Sequence, residues 1–165
     1  MSDPISLTCL RKGEPARFKR ELLDSIFLPH CTNRTEYSRK PDFMIVEYPD
    51  GGRAELFLSN LSDEALALFE TVKPPTFEIM NQVLDMPRGD PAFVQCVTFS
   101  RCGGDMFFDD LYELAHQTRS VISLYSGIAV TDEAVLDDVP EDFVDAKFPH
   151  VVHSGADIVR AIQTG

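Results

Sequence analysis

The stretch DFMIVEYPDGGRAELFLS, residues 42–59, constrains the fold more than any other part of the chain. Two runs of aliphatic and aromatic residues flank the turn sequence PDGG. Asp and Gly tolerate the positive φ angles that tight hairpin loops require, so this arrangement is typical of a β-hairpin. The chain is therefore predicted to contain an antiparallel pair of strands.

Helix and strand patterns alternate after this hairpin. The helical patterns are SDEALALFETV, TFEIMNQVLDM, MFFDDLYELAHQT and SGADIVRAIQ. Ser62 is predicted to cap the first helix. The predicted apolar side of the second helix is Phe77, Met80, Val83 and Leu84, and that of the third is Phe107, Leu111, Leu114, Ala115 and Thr118. The strand patterns are AFVQCVTFS, SVISLYSGIAV and HVVH. The first of these strands is apolar on both faces, which favours a central position in a sheet. We predict an α+β or α/β fold, in which a single domain has a mixed sheet of four to six strands covered by helices.

The N-terminal quarter of the chain differs from the rest in charge. Residues 1–41 carry eight Lys/Arg and five Asp/Glu, a balance of +3, whereas residues 42–165 carry seven and twenty-two, a balance of −15. PARFKRELLDSIF predicts a short helix, and LPHCTNRTEYSRKP predicts a polar loop. We therefore expect an N-terminal arm over residues 1–41 and an acidic globular α/β domain over residues 42–165.

The overall charge and hydropathy narrow the class of partner. The net charge of −12 repels nucleic acid phosphates and anionic membranes and would attract a basic protein, although acidity alone also serves solubility. No apolar run is long enough to span a membrane, and the start MSDPISLTCLRKGEP lacks a signal-peptide pattern. We expect a cytoplasmic protein that binds neither nucleic acid nor membrane.

Motifs for cofactors and metals are missing from the sequence. There is no P-loop, dinucleotide-binding glycine motif, HExxH or GxSxG pattern. The four cysteines, at positions 9, 31, 96 and 102, have neither zinc-finger spacing nor a CxxC pair. We therefore predict reduced thiols and no cofactor.

Cys102 is a candidate for a catalytic nucleophile. The sequence CGGD places it at a strand-to-helix turn, where the helix dipole favours a thiolate and the glycines leave room for a ligand. However, His116 is predicted three turns along the helix on its polar side, too far away to act as a base. The alternative is a purely structural tight turn, with Asp105 capping the helix.

Three histidines raise further site hypotheses. His150 and His153 are candidates for metal ligands, although positions i and i+3 of a strand point to opposite faces. His30, next to Cys31, could form a catalytic dyad only if the tertiary structure supplies a partner. The alternative is that all three are ordinary surface histidines.

The segment DEAVLDDVPEDFVD, residues 132–145, holds seven acidic and no basic residues. It lacks the residue order of a calcium-binding loop. We interpret it as a docking surface for a basic partner, although a merely solvated face would have the same composition. The predicted binding residues are Asp137, Asp138, Glu141, Asp142 and Phe143, with Phe148 as a second apolar anchor.

The layout of residues 42–163 is similar to that of a group of small uncharacterised bacterial proteins, some of them suspected immunity proteins of toxin systems. The hairpin MIVEYPDGGRAELFLS, the turn GGD with its amphipathic helix, and the acidic segment before a capped helix carry this resemblance. The resemblance implies a binding role and supplies no catalytic residues.

Three functional hypotheses follow from the sequence. The leading one is a non-enzymatic bacterial binding protein, of the inhibitor or immunity type, with an acidic interaction surface. The second is a small enzyme or small-molecule binder that uses the turn at Cys102, Gly103 and Gly104. The third is an accessory domain that dimerises through a sheet edge or an amphipathic face.

Overall fold

The computed structural model describes residues 4–35, 42–60, 62–71, 76–86, 89–125, 127–140 and 149–163. The strands are β1 (Ile5–Thr8), β2 (Leu10–Arg11), β3 (Glu14–Pro15), β4 (Phe18–Lys19), β5 (Cys31–Thr35), β6 (Asp42–Glu47), β7 (Arg53–Ser59), β8 (Phe93–Val94), β9 (Cys96–Gly103), β10 (Val121–Leu124), β11 (Gly127–Val130) and β12 (Pro149–Val151). The helices are α1 (Arg20–Phe27), α2 (Asp63–Glu70), α3 (Phe77–Asp85), α4 (Asp105–Thr118) and α5 (Gly155–Gln163), with 3₁₀ helices at Leu28–His30 and Glu133–Asp138.

The main sheet of the described residues is mixed. Eight strands lie in the order β12-β11-β10-β1-β9-β7-β6-β5, and only β11 and β12 run parallel to each other. This confirms the predicted α+β fold with a mixed sheet. The sheet is larger than the predicted four to six strands because β1 and β5 also join it.

The described N-terminal residues, 4–35, pack into the body of the protein, which differs from the arm predicted over residues 1–41. Strand β1 pairs with both β9 and β10, and Leu7 is fully buried between them. Leu23 and Phe27 of α1 lie in the same hydrophobic core. The helix begins at Arg20 rather than near Pro15, because Phe18 and Lys19 pair with β8. The predicted polar loop contains strand β5.

The predicted hairpin is confirmed in full. Strands β6 and β7 pair from Asp42↔Leu58 to Glu47↔Arg53. Alternate side chains of both strands, such as Met44 and Leu56, are buried in the main core, as the period of two residues requires.

Helix α4 supplies much of the core on one face of the sheet. Its buried residues are Phe107, Phe108, Leu111, Leu114, Ala115 and Thr118, which include every residue predicted for its apolar side. Helix α5 packs so closely on α4 that a Cβ atom on Gly155 would come within 2.5 Å of the α4 backbone. The exposed side of α4 is consequently held in a fixed orientation.

A second apolar cluster lies beneath the 3₁₀ helix Glu133–Asp138. Val135 of this helix packs with Val121, Ile128 and Val130 of the sheet and with Leu10. Residues 141–148, which include the rest of the acidic segment, lie outside the described residues.

Helices α2 and α3 have side-chain caps at their N-termini. The Ser62 hydroxyl accepts a hydrogen bond from Ala65 N at 3.2 Å, which confirms the predicted cap. The Thr76 hydroxyl accepts one from Ile79 N at 3.2 Å. Of the predicted apolar stripe of α3, Val83 is buried, whereas Phe77 is 79% exposed. Across the described ranges, no helix combines the length and apolar character needed to cross a membrane.

Candidate functional site

Two glycine-containing turns meet where helix α4 begins. Gly104 has φ +102°, and a Cβ atom at this position would lie 2.5 Å from the Cα of Gly52. Gly52 is equally restricted, because its own Cβ would come within 2.7 Å of the Gly103 carbonyl oxygen. The hairpin turn PDGG and the turn CGGD therefore pack backbone to backbone, and only glycine fits at Gly52 and Gly104.

Asp50 of the hairpin turn caps α4 from a distance in sequence. Its Oδ2 accepts a hydrogen bond from Met106 N at 3.1 Å, and its Oδ1 accepts one from Gly52 N at 2.8 Å. These bonds, first from Gly52 and then from Met106, hold the pKa of Asp50 below its usual value. The predicted capping role of Asp105 is wrong: Asp105 is the first residue of the helix, and Gly104 occupies the N-cap position without a side-chain bond.

Cys102 belongs to strand β9 and points into the core. It is 9% exposed, and its Sγ lies 4.0 Å from the Phe99 carbonyl oxygen. An open groove of about 550 Å³ passes this turn, lined by Asp50, Gly51, Gly52, Arg53, Arg101, Cys102, Gly103 and Gly104. None of these lining residues is a histidine, and the Asp50 carboxylate already occupies the positive end of α4. The groove therefore does not supply the base that thiol chemistry at Cys102 needs.

Burial disfavours the thiolate form of two other cysteines. Burial raises the pKa of Cys9, and it raises the pKa of Cys96. None of the four cysteines, which all lie in the described part of the chain, forms a disulfide. A protonated, buried thiol is a poor nucleophile.

The exposed face of α4 carries the feature that we call the acidic ridge, formed by Asp105, Asp109 and Glu113. All three side chains are exposed, and the four-residue spacing separates them by about 6 Å along the helix axis. Among the described residues, no basic nitrogen lies within 4.0 Å of these carboxylates. Like charges at this spacing repel one another, and the fold leaves that repulsion without a cation.

The predicted acidic surface is only partly open to a partner. Asp137 is exposed, but Asp138 is 8% exposed and bonded within the protein. The Oδ1 atom of Asp138 accepts a hydrogen bond from Lys12 N at 3.0 Å, and its backbone oxygen accepts one from Gly13 N at 2.9 Å. Asp138 therefore holds the β2–β3 turn in place, and its predicted docking role is corrected to a structural one.

Basic groups surround this part of the acidic segment. Arg119 Nη2 lies 3.6 Å from Asp138 Oδ2. Arg11 donates hydrogen bonds to the carbonyl oxygens of Thr118 and Arg119, at 2.8 and 3.1 Å, so its guanidinium lies close by. The remaining predicted binding residues, Glu141, Asp142 and Phe143, lie outside the described residues, as does Phe148.

His150 and His153 do not form a metal site in the part of the chain that is described. His150 is half-buried in β12, His153 is exposed beyond it, and no cluster of three metal-ligating side chains occurs there. The backbone N–H of His153 donates to Asp157 Oδ2 at 2.8 Å, which lowers the pKa of Asp157 together with the Arg160 guanidinium. This contact and the bond from Asp157 N to the Ser154 hydroxyl at 3.2 Å cap helix α5.

His30 does find partners in the tertiary structure, although Cys31 is not one of them. Its ring contacts that of Tyr48 in a tilted arrangement, with a centroid distance of 4.3 Å, and its Nε2 lies 3.8 Å from Asp110 Oδ2. The Tyr48 hydroxyl donates a 2.7 Å hydrogen bond to the same Asp110 oxygen. Three titratable side chains from three elements thus meet at one flank of α4.

The positions of Asp50 and Asp110 could not be found from local patterns. Asp50 is 56 residues from the helix that it caps, and Tyr48 is 62 residues from Asp110. The one available signal was that two Gly-Gly turns, PDGG and CGGD, each carry a neighbouring Asp. The acidic ridge itself was visible as the polar side of a predicted helix, but its lack of nearby cations was not.

Comparisons with protein-family models, with curated proteins and with solved structures found no match to this chain. Its function is therefore inferred from the geometry of its own residues.

Proposed function

We propose that this protein is a cytoplasmic binding module, of the inhibitor or immunity type, that receives a basic protein partner on the acidic ridge of α4. The observation that carries the proposal is the exposed row Asp105, Asp109 and Glu113, which has no cation within 4.0 Å among the described residues. A row of this kind costs the free protein stability through self-repulsion. A partner that supplies Lys or Arg would relieve the repulsion.

The surroundings of the ridge fit a docking surface. Helix α4 has 14 residues and is held by the sheet and by α5, so its outer carboxylates are preorganised. Met106, on the exposed side of the same helix, is 38% exposed and can contribute apolar contact area. Charge would speed the encounter, and apolar contact would add affinity.

The acidic segment over residues 132–145 is a less favourable place for the same partner. Within the described residues, the Arg119 guanidinium lies beside Asp138, so a basic partner would meet a cation there as well as acids. Like charges placed opposite each other at an interface oppose binding. The ridge has no such competitor in the described part of the chain.

The test compares two triple variants of equal net charge. Asp105→Asn, Asp109→Asn and Glu113→Gln neutralise the ridge, and Glu14→Gln, Glu133→Gln and Asp137→Asn neutralise three exposed acids elsewhere. Each triple variant changes the net charge from −12 to −9. A partner is first retained from a lysate of the source organism at low salt and released at high salt, and its affinity is then measured by titration calorimetry.

We expect the ridge variant to bind at least roughly tenfold more weakly than the unmodified protein, with a smaller dependence on salt. The matched variant should bind within about twofold of the unmodified protein, because the charges that it removes lie outside the ridge. Equal losses in both variants would mean that binding follows net charge alone, and the ridge would then not be the binding surface.

A further inference from the structure

We propose that His30, Tyr48 and Asp110 form a proton-controlled latch that fastens the edge strand β5 to helix α4. The inference does not depend on the proposed function. It concerns a conformational device within the fold, and it can be tested without knowing a partner.

The latch joins three elements at one carboxylate oxygen. His30 is the last residue of the 3₁₀ helix Leu28–His30, Tyr48 follows β6, and Asp110 lies on α4. Asp110 Oδ2 accepts the 2.7 Å hydrogen bond from Tyr48 and lies 3.8 Å from His30 Nε2. The planes of the Tyr48 and His30 rings meet at 32°, and this ring contact keeps the imidazole beside the carboxylate.

All three side chains are at least partly buried, so solvent stabilises their charged forms less than at the open surface. Tyr48 is 6% exposed, and burial together with the Asp110 carboxylate raises its pKa far above the usual value, so it remains a neutral donor. Burial raises the pKa of Asp110, while the hydrogen bond from Tyr48 and the positive charge on His30 lower it. The Asp110 carboxylate is therefore poorly compensated unless His30 is charged.

Other charged groups around the latch are mostly acidic. Asp109 and Glu113 of the same helix act on Asp110, and Asp50 of the hairpin turn acts on Tyr48. Helix α1 also packs against α4, and its Arg20 and Asp24 lie 3.7 Å from each other. Protonated His30 is therefore the cation that the latch itself provides.

Protonation of His30 should tighten the attachment of β5. His30 directly precedes Cys31, which starts β5 and pairs with Val46 of β6. Strand β5 lies at one end of the order of described strands, so it has a neighbour on one side only. An ion pair between His30 and Asp110 holds the start of this strand, and neutral His30 leaves only the ring contact.

Hydrogen exchange of the full chain between pH 6 and pH 8 tests the latch. Exchange rates are divided by those of an unstructured peptide at each pH, so that only protection is compared. The variants are His30→Gln and Asp110→Asn, the second of which keeps an acceptor for Tyr48. The matched control is His116→Gln, because the His116 ring also contacts a tyrosine ring, that of Tyr112, at 5.8 Å, but has no carboxylate within 4.0 Å among the described residues.

In the unmodified protein and in His116→Gln, we expect the protection of residues 28–33, relative to the strands β9 and β10, to be roughly two- to fivefold higher at pH 6 than at pH 8. Both latch variants should lose this pH dependence. If His30→Gln keeps the full pH dependence, the latch does not exist. If His30→Gln fails to fold, unchanged pH dependence in Asp110→Asn overturns the proposal equally.

Discussion

The acidic ridge on α4 and the 3₁₀ helix Glu133–Asp138 are both rich in carboxylates, but the fold uses their charges in opposite ways. Asp105, Asp109 and Glu113 project from a rigid helix and have no cation nearby in the described structure. Asp138 is turned inward and holds a neighbouring turn through Lys12 N. Acidic composition alone therefore does not identify an interaction surface, because a carboxylate can be either a structural hydrogen-bond acceptor or an exposed charge without a cation nearby.

The difference arises from what lies opposite each segment. The 3₁₀ helix covers an apolar cluster next to the β2–β3 turn, whose N–H groups need acceptors. The ridge carboxylates on α4 are exposed: Asp109 Oδ1 lies near Gly155 of α5, and Glu113 accepts a hydrogen bond from Gln117 Nε2 at 2.7 Å, but neither neighbour is a cation. Substitutions in and around both segments test this difference between the ridge and the 3₁₀ helix.

The largest effect is expected from the junction between the turns PDGG and CGGD, which lies at the start of the ridge helix. Gly104→Ala should destabilise the protein by about 3 kcal/mol, because alanine is strained at φ +102° and its Cβ would collide with the Gly52 backbone. Gly103→Ala is the matched control, since a Cβ there meets nothing within 4 Å. Urea unfolding measures both changes, and equal stabilities of the two variants would contradict the packing described for this junction.

A smaller loss is expected from the inward-facing acid of the 3₁₀ helix. Asp138→Ala should lower the free energy of unfolding by about 2 kcal/mol, because it leaves Lys12 N without its acceptor and removes the contact with Arg119. Asp137→Ala, one residue away and exposed, should change it by less than about 0.5 kcal/mol. If the two variants had the same midpoint of thermal unfolding, the structural role of Asp138 would be contradicted.

Asp50 should stabilise the start of the ridge helix in a pH-dependent manner. The pKa of Asp50 is lowered in the folded protein, so its ionised form contributes stability above the unfolded value near 3.8, and this contribution is lost as the pH falls through the folded value. The stability difference between the unmodified protein and Asp50→Ala should therefore shrink when unfolding is measured at pH 3 instead of pH 7. Asp105→Ala, which removes an acid that accepts no capping bond, is the matched control at both pH values, and a difference for Asp50→Ala as large at pH 3 as at pH 7 would contradict the capping role of Asp50.

The smallest effect is expected from the ridge itself. Asp109→Asn should raise the free energy of unfolding by a few tenths of a kcal/mol, about 0.2–0.5, because it removes repulsion from Asp105 and Glu113. The gain should diminish in 0.5 M salt, where exposed charges are screened. Glu133→Gln should not stabilise the protein in this way, and a gain of equal size there would show that general charge density, not the ridge, is responsible.

Local patterns predicted much of the fold correctly. The hairpin of β6 and β7, the cap at Ser62 and the buried side of α4 all follow from periodicity or turn chemistry within a few residues. Strands β1 and β5 were missed because ISLT and CTNRT are short, and their pairing depends on partners that lie far away in sequence. The N-terminal region was consequently predicted as an arm.

The helix that carries the ridge, the hairpin and the surplus of acidic groups all follow from the sequence alone. Which carboxylates accept hydrogen bonds from distant parts of the chain, as Asp50, Asp110 and Asp138 do, depends on the tertiary structure. The physical reason is range: helical periodicity and caps act over about four residues of chain, whereas a carboxylate interacts with any group within a few ångströms, however distant in sequence.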